Sequence, residues 1–282
     1  MKKSNWLFTG LSVIVILSSC TKDDVTNPDN TAVEKKYLLR ADGHVAYFTE
    51  SLDVVTSYKY DIGNRLLNEI QNESSGVGVE LYDSIVYVYN GADTVPSRKD
   101  RYDMLPGGGL YSSQLFFYNG AGLLIKDSVI NESATYYTYT SNQLITRFVD
   151  YTSVPSGEVI ARDTLTKDAS GNNFASAVSN SSSDGRTLMT LTYNTNVFNP
   201  YWSTGGTTSM YAHADDDIAS FGDMIGALGR NAITSLTNTD SYGSSDQVNL
   251  VYQNVVNKWP GKMVFTSSAA PGATYTVIFT YK

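Results

Sequence analysis

The segment Tyr58–Leu67 reads "YKYDIGNRLL". Tyr58 and Tyr60 are two positions apart, so on an extended strand both rings leave the same face. Asp61, Gly63 and Asn64 then supply the residue types that tight turns use, and Leu66 and Leu67 open a second apolar run. The stretch therefore predicts strand, turn, strand. The pattern returns as "YVYNGAD" from Tyr87, "FFYNGAGLL" from Phe116, "YTYTSNQL" from Tyr137, "LTYNTN" from Leu191, "LVYQN" from Leu250 and "FTYK" from Phe279. From Tyr60 to Tyr89, Tyr89 to Tyr118 and Tyr252 to Tyr281 the step is 29 residues, within the range at which repeats build arrays. Each unit reads as one β-hairpin, and the series as an antiparallel meander.

Tyr60, Asp61, Arg65 and Leu66 in the first unit resemble the YD repeats of RHS-type proteins, as do Tyr118, Asn119, Gly122 and Leu123 in the third and Asp168 and Gly171 in "KDASGN". That resemblance implies a mainly all-β fold, an antiparallel meander of YD-like hairpins forming a finite, curved sheet. With no linker-like break in the pattern, residues 35–282 read as a single β-rich domain. Tyr193, Asn194, Asn199, Pro200 and Tyr201, followed by "GRNAITSL" from Gly229, resemble an uncharacterised family of Bacteroidetes surface lipoproteins in which an Asn-Pro-aromatic turn precedes an insertion. Inside that insertion, Ile218, Phe221, Met224, Ile225 and Leu228 follow helical spacing. Asp215 to Asp217 favour a helix N-terminus and Gly229 a stop, so one short amphipathic helix is predicted near 215–228.

The N-terminus has a different character. Lys2 and Lys3, an apolar run from Trp6 to Leu17 and then Ser18 and Ser19 have the layout of an export signal over residues 1–19. Such a run rises only about 18 Å as a helix, short of the roughly 30 Å hydrocarbon core. Leu17-Ser18-Ser19-Cys20 resembles the bacterial lipobox, which implies acylation of Cys20 and a membrane partner reached through that lipid. Residues 20–34 then form a flexible tether, and Lys22, Asp23 and Asp24 resemble the surface-export signal of such lipoproteins. The location this implies is the outer membrane, lipid-anchored and facing the cell exterior. Cys20 is the chain's single cysteine, so no intrachain disulfide forms.

The formal net charge is −8, which opposes nucleic acid as a partner. The chemistry-bearing motifs are few. No G-x-S-x-G elbow, H-E-x-x-H helix or P-loop is present. The run "HADDD" lacks the alternating ligands and bidentate Glu of a calcium loop, and His44 and His213 alone do not make a zinc site, so neither metal nor cofactor is expected. Trp202 and Trp259, each beside a proline, and Tyr201 are the candidate ligand-binding rings. The expectation is a non-catalytic binding module for glycan or peptide. A scaffold subunit of an envelope complex is the alternative, with polysaccharide or other envelope proteins as the partners in view, and a glycan-active hydrolase stands behind both.

Overall fold

The computed structural model describes residues 35–47, 50–75, 78–152, 159–181, 185–202 and 229–282. Sixteen strands follow one another: β1 (Leu38–Tyr47), β2 (Glu50–Tyr60), β3 (Leu66–Ser75), β4 (Gly78–Val88), β5 (Arg98–Asp103), β6 (Leu110–Tyr118), β7 (Leu124–Val129), β8 (Ser133–Tyr139), β9 (Gln143–Asp150), β10 (Val159–Lys167), β11 (Phe174–Ser181), β12 (Gly185–Phe198), β13 (Asn231–Thr239), β14 (Ser245–Gln253), β15 (Lys262–Ser267) and β16 (Thr274–Tyr281). Each pairs antiparallel with its sequence neighbours, and β1 pairs with β16, so the meander closes into a barrel.

This corrects the open, curved sheet expected from the YD-like units. The hairpins form where the sequence places them, but Ala41 lies opposite Phe279 and Gly43 opposite Val277, which leaves no edge strand unpaired. Bulges help the wall to curl, since an extra residue in one strand bends it and sharpens its twist. Register shifts fall beside Tyr60, Tyr118, Lys167 and Tyr193. The helix predicted near 215–228 lies outside the described residues, and among the described residues there is none.

The first repeat shows why the turns form. Asp61 accepts the Arg65 backbone N–H at 2.8 Å and its Nε–H at 2.6 Å. Asn64 takes the left-handed conformation, φ 62°, standing in for the glycine that a positive φ favours. In the third repeat Asn119 Oδ1 accepts from the N–H groups of Ala121 and Leu123, and Gly122 takes φ 75°.

Sixteen strands in a round barrel would enclose an aqueous channel. Here the lumen-facing Leu165, Met263 and Val277 are at most 1% exposed, and one apolar cluster joins Tyr58, Leu66, Tyr137, Leu165, Leu236, Phe265 and Phe279 from strands all round the wall. The space inside is a packed core.

The outer face has the opposite character. Alternation and register put Thr274, Thr276 and Thr280 of β16, Ser235, Thr237 and Thr239 of β13, and Ser51, Asp53, Ser57 and Lys59 of β2 outside. A membrane-spanning barrel carries an apolar band there and a polar interior. This wall packs a mainly apolar core inside, and outside it sets polar residues among scattered apolar ones such as Ile278 and Val251.

Candidate functional site

The even-numbered strands all run toward the same end of the barrel. Toward that end a ring forms from Tyr60, Tyr89, Tyr118, Tyr139, Lys167, Tyr193, Tyr252 and Tyr281, in or just past these strands. One step deeper stand Tyr58, Tyr87, Phe116, Tyr137, Leu165, Leu191, Leu250 and Phe279. The aromatic repeat of the sequence is thus two stacked layers at one mouth of the barrel.

Five of the ring tyrosines make the same bond. Tyr89 Oη donates to the Leu66 carbonyl at 2.7 Å, Tyr118 to Pro96 at 3.0 Å, Tyr139 to Leu124 at 3.0 Å, Tyr193 to Phe174 at 2.6 Å and Tyr281 to Pro260 at 2.9 Å. In each case the acceptor lies at or just before the start of the strand preceding the tyrosine's own. Burial pushes the Tyr89 phenol up to about 12, against the lowering influence of the Arg65 guanidinium, and raises Tyr118, Tyr193, Tyr252 and Tyr281 as well. These phenols stay protonated at physiological pH, as donors and not as nucleophiles.

The Asn-Pro-aromatic turn closes this mouth. Asn199 is fully buried, its Nδ2 donating to the Gly229 carbonyl at 2.9 Å and its Oδ1 accepting the Tyr201 N–H at 3.1 Å. That anchors Tyr201 inside, edge-on to Phe279 with centroids 5.5 Å apart. Of the three rings picked as ligand platforms, Tyr201 and Trp259 are buried. Trp259 packs against Phe198 and Tyr281. Trp202 is half-buried with Lys35 and Arg230 over its ring.

Further along the lumen lies a polar layer. Glu69, Gln71, Asp83, Asp127, Thr135, Thr146 and Asp163 face inward and are buried. Each carboxylate has a named partner: Glu69 takes the Tyr87 hydroxyl at 3.1 Å, Asp83 the Arg101 guanidinium at 2.5 Å, and Asp163 the Thr146 hydroxyl at 3.0 Å. Asp127 accepts from the Tyr137 hydroxyl and from Gln114 Nε2. Burial raises the Asp127 carboxyl, with the bonds from Tyr137 and Gln114 and the Lys99 charge opposing. Partners of this kind tie neighbouring strands together inside the core. Among the described residues no group of three or more His, Cys, Asp or Glu side chains could hold a metal ion.

No protein-family model matches the chain, and no curated protein matches it by sequence. Among solved structures it is similar to a porin-like protein from Bacteroides uniformis, with TM-score 0.57 and 14% identity over 87% of this chain and 98% of that one. A second porin-like protein, from Bacteroides vulgatus, aligns at TM-score 0.44 and 12% identity over 88% and 99% of the two chains. At this identity the likeness is one of fold.

It corrects the family assigned from the repeats: the chain has a porin-like barrel, a topology typical of outer-membrane proteins, in place of a lipoprotein built on an RHS-like sheet. The location and partner expected with that family, a peripheral module held at the outer membrane by a lipid on Cys20, are corrected with it. Cys20, Lys22, Asp23 and Asp24 themselves lie outside the described residues. The polar layer was not singled out in the sequence: Glu69 and Gln71 join the face of Leu66 only through the register shift beside Tyr60, which strict alternation does not foresee.

Proposed function

We propose that this chain is a non-catalytic, non-conducting barrel that binds its ligand on the outer wall. The observation that carries the reading is the packed lumen together with polar residues on the outer wall, as in β16, where buried Val277 and Phe279 alternate with outward Thr274, Thr276, Ile278 and Thr280. A pore needs water inside and an unbroken apolar band outside, and this barrel has neither. Catalysis in the lumen is opposed by the same packing, since the buried carboxylates are engaged by neighbouring strands and Tyr201 fills the mouth.

Addition of the purified protein to a planar lipid bilayer tests this. No conductance steps are expected at any protein concentration or voltage that keeps the bilayer intact. Reproducible unitary conductance would overturn the reading.

A further inference from the structure

From β6 to β12 the wall keeps its acids on one face. Its strands hold three carboxylates, Asp127, Asp150 and Asp163, all at inward positions. The outward positions hold Lys126, Arg147, Arg162 and Arg186, and no acid. These cations stand in one row. Phe117 lies opposite Lys126, Lys126 opposite Tyr136, Tyr136 opposite Arg147, Arg147 opposite Arg162, Arg162 opposite Asn180, and Asn180 opposite Arg186. Crossing seven strands, the row is about 29 Å long at the roughly 4.8 Å spacing of paired strands.

Nothing among the described residues neutralises it. Elsewhere Arg40, Arg65, Arg98 and Arg101 pair with Asp42, Asp61, Asp100 and Asp83, while none of the four row cations forms a salt bridge with a described residue. Two of them rest on aromatic rings: Lys126 Nζ lies 5.4 Å from the centroids of both Phe117 and Tyr136, and Arg147 Cζ 5.7 Å from that of Tyr136. Such contacts hold a cation in place and leave its charge intact. Arg147 and Arg162 are directly opposed, an arrangement that costs stability in a sheet. On a chain of net charge −8, a straight, unneutralised cationic row is a binding device for anions.

We infer that the row binds a linear acidic polysaccharide, its carboxylate or sulfate groups meeting Lys126, Arg147, Arg162 and Arg186 in succession; the inference rests on the outer-wall binding reading. The length and straightness of the row match a multidentate polymer better than a single anion. Beside the row the outward line runs Thr138, Ile145, Thr164, Val178 and Leu188, so hydroxyl groups alternate with apolar side chains, and the overall negative charge opposes nucleic acid.

The test is binding of a fluorescent oligogalacturonate to the full-length protein at low salt, with its fully methyl-esterified form and polyglutamate as parallel probes. Oligogalacturonate should bind, weaken with rising salt, and exceed both other probes. Arg147→Gln with Arg162→Gln should weaken it at least tenfold at a thermal midpoint no lower than that of the wild type, and Arg147→Lys with Arg162→Lys should keep most of it. Equal binding of the neutral ester, stronger binding of polyglutamate, or no change in the Gln variant would overturn the inference. So would the absence of binding by the wild type, which leaves the conductance result untouched.

Discussion

Tyr89 donates its hydroxyl to the carbonyl of Leu66, 23 residues upstream, at 2.7 Å. The bond ties the end of β4 to the start of β3 and is repeated by Tyr118, Tyr139, Tyr193 and Tyr281. Removing it should leave a half-buried carbonyl without its donor. Tyr89→Phe is expected to cost about 1 kcal/mol, with about 3 as the upper bound if water cannot replace the hydroxyl. Urea titration reads this as a lower midpoint at unchanged slope. An unchanged midpoint would mean that the tyrosine ring is held by packing alone.

Tyr201 should be a core residue. Its burial against Phe279 places Tyr201→Ala in the range of large aromatic truncations, about 3–5 kcal/mol. Thermal unfolding would show it as a drop of several degrees, roughly 2–4 °C for each kcal/mol in a domain of this size. A drop under about 2 °C would remove Tyr201 from the plug.

Gly229 faces Asn173 so closely that an added Cβ would stand 2.9 Å from Asn173 Cα and 2.6 Å from its Oδ1. Asn173 cannot move freely, because its Oδ1 accepts the Asn231 N–H at 3.0 Å and its Nδ2 donates to Asp168 at 2.7 Å. Gly229→Ala is expected to destabilise by about 1–3 kcal/mol, the usual cost of overpacking. A neutral result in chemical denaturation would show that the β12–β13 junction yields.

Burial raises the Asp127 carboxyl above its ordinary value. The folded state then binds the proton more tightly than the unfolded chain, so this group's contribution to stability is complete below the unfolded value of about 3.9. It is lost as pH rises through the raised folded value. Asp127→Asn should therefore flatten the fall in thermal midpoint between acid and neutral pH. A steeper fall in the variant would reverse the sign and point to a carboxylate stabilised in its charged form.

Hairpins were legible because their signals are local. Tyr58 and Tyr60, the Asp61 anchor and Leu66 lie within nine residues, and the later repeats keep the paired strand residues with varying turn residues. Closure was not legible, because it depends on Ala41 meeting Phe279, a pairing between opposite ends of the chain that no local pattern encodes. The choice of Trp259 as a ligand platform fails to foresee that the turn at Val256–Trp259 folds its ring over Phe198; a proline-flanked tryptophan looks the same in sequence whether it caps a core or meets solvent. The cationic row stayed hidden for the same reason as closure. Lys126, Arg147, Arg162 and Arg186 are scattered along the chain and align only once the register is set.

The central claim is the inverted wall, and cysteine labelling of two adjacent residues tests it. In a Cys20→Ser background, Ile278→Cys and Val277→Cys are treated with a water-soluble maleimide under native conditions. Ile278 is 51% exposed and Val277 1%, so the Ile278→Cys variant should label readily and the Val277→Cys variant only after denaturation. Rapid native labelling at 277 with protection at 278 would mean water inside and lipid outside, and would contradict the account.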